Sequence, residues 1–363
     1  MVIDNLDLKN YRNYNILNMS FDKNVNIIYG DNAQGKTNIL EALYICSTSK
    51  SHRGSKDREI ISFGEEESHI KINVNKNNIN YRIDMHLKKN KTKGIAVNGI
   101  PIKKAVELFG IINIVFFSPE DLNIIKNGPS ERRRFIDMEL SQLDKIYLSN
   151  LVNYNKVLGQ RNKLLKDLSF RKTDDMLDTL DIWDMQLVRF GKEIINGRKE
   201  FVKKVNSIIS DIHSNLTGGK ENLRIEYNPC VTISDFEKVI GESREKDIKY
   251  KVTNFGPHKD DLIFYINDKD VRKYGSQGQQ RTAALSLKLS EIELVKIIIK
   301  DTPVLLLDDV LSELDNNRQN FLLNSIGDIQ TIVTCTGLDE FINNRININK
   351  VFKVVNGTVT SEN

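Results

Sequence analysis

Apolar positions change their period several times along the first 120 residues, as they do in a mixed α/β domain. Residues 24–29 form a short apolar run that predicts a strand. Residues 38–46 place apolar side chains at helical spacing among good helix formers. Residues 70–87 and 94–102 have the character of β-hairpins, the second with a turn at Asn98-Gly99, a pair suited to the left-handed backbone such turns need.

Between residues 131 and 214 the pattern changes. The segment is charge-rich, has no proline and almost no glycine. Tyr147, Leu151, Tyr154, Leu158, Leu165 and Leu168 follow a 3,4 spacing, with Arg161 in the missing slot. Met176, Leu180, Trp183, Leu187, Phe190, Ile194, Phe201, Val205, Ile208 and Ile212 continue it, with Gly197 in the gap. A sustained 3,4 spacing marks a helix seam. The break at residues 169–174 is short, which predicts two antiparallel helices, each of about 40 residues and roughly 60 Å. The aromatic members of the seam are expected in its core. Beyond residue 248 the mixed pattern returns, with buried-strand runs at 304–307 and 330–335.

Composition narrows the class. The 363 residues are 39% hydrophobic and 28% charged, the balance of a globular protein with a real core. No run of about 18 apolar residues predicts a membrane span, and residues 1–10 lack the pattern of a secretory signal. Cys46, Cys230 and Cys335 are scattered without a C-x-x-C pair, which argues against a disulfide framework or a zinc site and fits a reducing cytoplasm. Net charge is +4, and residues 131–220 hold 17 Lys and Arg against 13 Asp and Glu, so the whole excess lies there. That segment is either a solvated helical face or a phosphate-contacting surface.

Chemistry enters at Gly30-Asp31-Asn32-Ala33-Gln34-Gly35-Lys36-Thr37, a complete P-loop pattern between a predicted strand and a predicted helix. Its glycines let backbone wrap phosphates, and the amides at the helix start point at the anion. Lys36 is expected to reach the β- and γ-phosphates of ATP and Thr37 to ligate Mg2+. Val304-Leu305-Leu306-Leu307-Asp308-Asp309 is an apolar strand ending in acids, the Walker B pattern. Asp308 is expected to hold Mg2+, directly or through water, and Asp309 to stand where many such ATPases carry the carboxylate that polarises water. An apolar run ending in an acid is common; here the P-loop already requires such a partner.

Ser276-Gln277-Gly278-Gln279-Gln280-Arg281 precedes that strand by one predicted helix, residues 282–300. A Ser-x-Gly-Gln at a helix start presents a hydroxyl and free amides to an anion. Taken alone it would be an ordinary polar N-cap. Its composition is that of an ABC signature loop, in which Ser276, Gly278 and Gln279 would cap ATP bound to the partner subunit. Leu311-Ser312-Glu313-Leu314-Asp315 follows in the position of a D-loop. No histidine occupies the usual switch position, so Thr334 or Thr336 would sense the γ-phosphate. Phe116-Phe117-Ser118-Pro119-Glu120 stands in the Q-loop position without a glutamine.

Nearly end to end, the chain resembles the RecF family of bacterial recombination mediators. The resemblance is carried by Leu8-Lys9-Asn10-Tyr11-Arg12-Asn13-Tyr14, by Thr37-Asn38-Ile39-Leu40-Glu41-Ala42 after the P-loop, and by Ser51-His52-Arg53. Further blocks are Phe117-Ser118-Pro119-Glu120-Asp121-Leu122, Gly128-Pro129-Ser130-Glu131-Arg132-Arg133-Arg134-Phe135-Ile136-Asp137 and Gly256-Pro257-His258-Lys259-Asp260-Asp261-Leu262. Asp309 and the switch-position threonine are normal for that family. The resemblance implies a weak, DNA-dependent ATPase that forms an ATP-dependent homodimer. It also implies binding to single-stranded and gapped double-stranded DNA, and RecA loading with RecO and RecR. His258 and Lys259 would line either the nucleotide or the DNA face, or be structural. Of Arg132, Arg133 and Arg134, at most one or two share a helix face, and some are expected to contact phosphate.

The fold expected is α/β: an ABC-type P-loop ATPase head from residues 1–125 and 249–363, with a mainly helical insertion, an α-helical hairpin, at 126–248. An SMC-type DNA-tethering ATPase shares the head chemistry but carries far longer coiled coils. A transporter ATPase predicts a switch histidine and a membrane partner. A P-loop kinase has no use for the signature or D-loop stretches.

Overall fold

In the computed structural model, residues 1–337 and 348–362 are described, apart from the side chain of Glu313. The chain forms two compact units, residues 1–121 with 288–363 and residues 122–287.

The first unit holds two six-stranded sheets. One is antiparallel, in the order β2 (Tyr14–Ser20), β1 (Val2–Tyr11), β4 (Glu67–Lys76), β5 (Ile79–Lys88), β6 (Gly94–Val97) and β7 (Ile100–Pro101). Strict alternation drives it: Ser68, Ile70, Ile72 and Val74 of β4 are buried while Glu67, His69, Lys71 and Asn73 are not. The predicted Asn98-Gly99 turn is present, with φ of 53° and 81°. The short helix α2 (Asp57–Ile60) precedes β4 in the chain.

The second sheet runs β15 (Thr358–Glu362), β14 (Lys350–Val355), β3 (Val25–Tyr29), β13 (Thr331–Cys335), β12 (Val304–Asp308) and β8 (Ile114–Phe117). All its strands but β15 are parallel. Parallel strands are covered on both faces, so they read as continuous apolar runs, and Leu305, Leu306, Leu307 and Ile332 have no exposed surface. Helix α1 (Lys36–Thr48) packs against both β4 and the β8–β12–β13 face, and is buried almost all round. It ends at Ser49, whose left-handed backbone sends its N–H to Ile45 O. Helix α11 (Asn316–Ile326) starts at Asp315, which accepts the N–H of Arg318.

The second unit is mainly helical: α3 (Leu122–Lys126), α4 (Pro129–Leu143), α5 (Lys145–Leu168), α6 (Asp174–Thr217), α7 (Phe236–Glu242), α8 (Arg244–Tyr250) and α9 (Val271–Tyr274). It also contains the first turns of α10 (Gln277–Ile299) and an antiparallel sheet of β11 (Lys269–Asp270), β10 (Asp261–Ile266) and β9 (Leu223–Asn228). The expected hairpin is α5 against α6, but its arms are unequal. Asp144 interrupts the first, accepting the N–H groups of Ile146 and Tyr147 at 2.7 and 3.1 Å, so α4 and α5 are separate helices. The second arm is 44 residues long, about 66 Å, and stops at Gly218 in the left-handed conformation.

The α6 side of the seam is apolar with three charged or titratable exceptions. Leu180, Leu187, Ile194, Phe201 and Val205 are buried as expected, while Trp183, Phe190, Ile208 and Ile212 are half-buried. Asp184, Arg198 and His213 lie on the buried face instead. Arg161, in the slot the periodicity left open, is fully buried and pairs with Asp184 at 2.6 Å and Asp247 at 2.7 Å. A guanidinium survives there because two carboxylates and the Thr253 hydroxyl surround it.

The division between the units differs from the sequence-based boundary at 248/249. Strand β10 pairs with β9 along six residues, Asp261↔Asn228 to Ile266↔Leu223, which ties residues 249–287 to the helical unit. Helix α10 begins at Gln277, not near Thr282, so residues 277–281 are helix rather than loop and Ser276 caps them. Among the described residues, no helix is long and apolar enough to cross a membrane.

Candidate nucleotide-binding site

Parallel pairing brings the chemistry together. Chain ends of β3, β13 and β12 lie side by side in the order Tyr29, Cys335 and Asp308, with Asp308 in register with Thr334. The P-loop leaves β3 there, and ligands in such sheets sit beyond the carboxyl ends of the strands.

Gly30 and Gly35 shape the loop. A side chain on Gly30 would place its Cβ 2.3 Å from the carbonyl oxygen of Val354, and Gly35 has φ of 113°. Asp31, Asn32 and Ala33 form an exposed rim, Gln34 and Gly35 are half-buried, and Lys36 is buried. The Lys36 ammonium donates to the carbonyls of Gly30 at 2.7 Å and Asp31 at 3.1 Å, so the cation is held inside the loop's curve.

Two turns outside the motif hold the loop from below. Asn13 Nδ2 donates to Gln34 O at 2.8 Å, and the Tyr14 hydroxyl donates to Gly35 O at 3.1 Å. Asn38 Nδ2 donates to Asn13 Oδ1, and the N–H of Asn356 donates to Gln34 Oε1 at 2.6 Å. Nothing in the P-loop pattern points to Asn13 or Tyr14; their only sequence signal is the shared N-terminal block. The same block supplies Arg12, which forks onto Glu41 of α1 at 2.8 and 2.7 Å. Glu41 has no exposed surface and also receives Ser51 Oγ and the Tyr11 hydroxyl. Burial raises its pKa, and hydrogen bonds from Arg12 and Ser51 outweigh that, leaving it below the usual carboxylate range.

Thr37 Oγ1 donates to Asp308 Oδ1 at 2.8 Å, joining the P-loop to the Walker B strand. Thr334 donates to the same oxygen at 2.8 Å and accepts the N–H of Asp309 at 3.0 Å. Burial pushes the Asp308 pKa up, with the Thr37 and Thr334 hydroxyls pulling against it. Asp309 has φ of 51°, a left-handed backbone that turns its half-buried side chain away from the strand's period. Its carbonyl accepts Ser312 Oγ at 2.9 Å, so the D-loop stretch is tied to it. The side chain of Glu313 lies outside the described residues. Thr336 is exposed and, with Asp309, Leu311, Ser312 and Gly337, lines a small hollow. Of the two candidate sensing threonines, Thr334 is therefore the one hydrogen-bonded to both acids. In the Q-loop position the Ser118 N–H binds Asp121 Oδ2, and Glu120 is exposed.

The oxygen donors at Thr37 and Asp308 suit a hard divalent cation such as Mg2+. Gly30, Gly35 and Lys36 supply a wrapped backbone and one buried cation for phosphates. Residues 30–37, Asp308, Asp309 and Thr334 are brought together in the first unit.

Ser276, Gly278 and Gln279 belong to the second unit. Ser276 Oγ accepts the Gln279 N–H at 3.2 Å, and Gln279 Oε1 accepts the Ser276 N–H at 2.8 Å, a reciprocal capping box. Gln279 Nε2 also reaches Glu221 at 2.9 Å. Ser276, Gln277 and Gly278 remain exposed at the start of α10.

Of the other singled-out residues of that unit, His258 and Arg132 are structural. His258 Nε2 faces the Thr253 carbonyl at 3.0 Å and must donate; Nδ1 then accepts the Tyr154 hydroxyl at 2.7 Å. Burial first, and then the nearby cations, lower its pKa to about 4, so the ring is neutral. Lys259 is exposed. Arg132 is buried and forks onto Asp261 at 2.6 and 3.0 Å, which removes it from the phosphate-contact candidates. Arg133 donates to Asp260 O, and Arg134 is exposed.

Residues 2–360 match the family described as RecF/RecN/SMC N terminal domain. The chain is 77% identical over 363 residues, all of both chains, to the DNA replication and repair protein RecF of Lachnospira eligens. It superposes on a solved structure of the recombination mediator RecF with ATP, from the RecFOR pathway, with a TM-score of 0.92 and 36% identity, covering 100% of this chain and 98% of that one. A Pyrococcus furiosus Smc head matches at TM-score 0.58 and 18% identity, over 99% of this chain and 96% of that one, a likeness of fold.

Proposed function

The chain belongs to the RecF family, and on that premise we propose that it is an ATP-dependent DNA-binding protein of replication, recombination and repair. It binds and hydrolyses ATP as an ABC-type ATPase. On this reading it dimerises on ATP, binds single-stranded and gapped duplex DNA, and acts in the cytoplasm with RecO- and RecR-type mediators in loading RecA. Slow, DNA-dependent hydrolysis to ADP and phosphate resets the dimer.

The observation that carries the reading is the meeting of Thr37, Asp308, Asp309 and Thr334 beneath the P-loop. Gly30 to Gly35 wrap the phosphates with backbone amides, and Lys36 exchanges its carbonyl partners for phosphate oxygens. Thr37 and Asp308 would hold Mg2+, which supplies charge neutralisation on the phosphates. Asp309 orients the attacking water, and Thr334 fixes both acids relative to the P-loop. Ser276, Gly278 and the first amides of α10 present an exposed helix start that caps ATP held by a partner copy. A dimer closed on ATP presents a DNA surface that the monomer lacks, so nucleotide state and DNA affinity are coupled.

Binding of the purified protein to gapped duplex DNA, with and without ATP and over a series of salt concentrations, tests this. Tighter binding with ATP and weakening with salt are expected. Absence of DNA binding in both states would leave the ATPase and remove the repair function.

A further inference from the structure

On the antiparallel sheet of the first unit, Glu67 and His69 of β4 stand two residues apart and so share a face. His86 of β5 is the direct cross-strand partner of His69, which puts its side chain on that same face. The two imidazoles stack with centroids 4.1 Å apart and 21° between planes. Both aim Nε2 at the Glu67 carboxylate, His86 at 2.9 Å from Oε2 and His69 at 3.6 Å from Oε1. One ligand atom from each of the three lies within 4.8 Å of the others. All three side chains are half-exposed, and His69 and His86 border an open groove that also includes Lys9, Ile16 and Asn18.

We propose that Glu67, His69 and His86 form a binding site for one transition-metal ion of the Zn2+ class, separate from the nucleotide site. Two imidazole nitrogens and one carboxylate are a borderline donor set that suits Zn2+, Co2+, Ni2+ or Cu2+, whereas Mg2+ favours oxygen donors throughout. Tetrahedral zinc with bonds near 2.0–2.1 Å needs ligand atoms about 3.3 Å apart. His86 and His69 lie 2.9 and 3.6 Å from the two Glu67 oxygens, and with all three ligand atoms within 4.8 Å of one another they must draw together by at most about 1.5 Å to hold one ion. Three protein ligands leave one position for water from the groove. Rigid pairing of β4 and β5 pre-sets two ligands, since the register fixes His69 opposite His86. Lys88, 3.5 Å from Glu67, and Lys71 on the same face oppose a divalent cation and set an upper limit on affinity. Cysteine spacing carries no trace of such a site, because no thiolate takes part.

The test is a titration of the full-length, chelator-stripped, nucleotide-free chain with Zn2+ by calorimetry, with Co2+ as the spectroscopic probe and Mg2+ as the control. One Zn2+ per chain and a Co2+ spectrum of a low-coordinate nitrogen–oxygen site are expected. His69→Ala and His86→Ala should each weaken Zn2+ binding by about tenfold or more. Glu67→Gln preserves size and leaves the imidazoles in place, so it gives a second reading if a histidine variant misfolds; it too should bind more weakly. Asp308→Asn should leave Zn2+ binding unchanged. Wild-type protein that binds no Zn2+, or a folded His69→Ala/His86→Ala protein that binds it as tightly as wild type, would overturn the proposal.

Discussion

Thr334 donates its hydroxyl to Asp308 at 2.8 Å while accepting the N–H of the next acid, Asp309, at 3.0 Å. One buried hydroxyl thus sets the positions of both acids. Thr334→Val keeps the shape and removes the hydroxyl, leaving the Asp309 N–H without its acceptor. A stability loss of about 1–3 kcal/mol is expected. ATP binding should persist, with turnover lower by roughly tenfold, about 1.4 kcal/mol of lost positioning. Unchanged turnover would assign the switch role elsewhere, with Thr336 the next candidate.

Lys36 and Asp309 should separate binding from hydrolysis. Lys36→Ala removes the one buried cation of the loop, and ATP binding should be abolished in a fluorescent-nucleotide assay. Asp309→Asn keeps binding and should trap the ATP-bound dimer in size-exclusion chromatography. Hydrolysis at the wild-type rate in Asp309→Asn would mean that another group orients the water.

Ser276 has two roles to disentangle, because its hydroxyl caps α10 through Gln279. Ser276→Ala should cost about 1 kcal/mol from the lost cap and abolish ATP-dependent dimerisation while the monomer still binds ATP. Ser276→Asp retains a capping oxygen and places a negative charge where partner phosphates would lie. Normal ATP-dependent dimerisation of Ser276→Asp would show that the residue acts as a cap alone.

Arg12 and Glu41 form a one-sided burial: Glu41 has no exposed side-chain surface, while Arg12 retains 20%. Arg12→Ala strands the carboxylate, and a loss of about 3–5 kcal/mol is expected in urea unfolding. Arg12→Ala with Glu41→Gln should recover part of it, since a neutral amide tolerates burial better. A single variant as stable as wild type would mean that Ser51 and Tyr11 suffice to hold Glu41.

His258 makes a pH prediction. Its pKa falls from 6.5 to about 4 on folding, so the unfolded chain binds the extra proton between those values. Its contribution is therefore complete above pH 6.5 and is lost as pH drops towards 4, up to roughly 3 kcal/mol. Urea midpoints of wild type should fall more steeply between pH 7 and 5 than those of His258→Gln. Parallel slopes would show that other groups govern the acid limb.

The sequence alone determined what depends on local chemistry. The P-loop glycines, the apolar run to Asp308 and the Asn98-Gly99 turn were legible because each needs particular residues at adjacent positions. The order of motifs made the α/β head legible, and the 3,4 spacing made the helical hairpin so. Interactions between distant segments were not legible. Asp308 meets Thr37 across 271 residues, and Thr334 meets Asp308 through a parallel register that no local pattern encodes. Asn13 and Tyr14 support the P-loop because β1 and β2 turn beneath it. Arg161 reads as a flaw in an apolar seam until Asp184 and Asp247 arrive from other helices. The unit boundary moved from 248 to 287 because β10 pairs with β9, and strand pairing at that separation is decided by the tertiary structure.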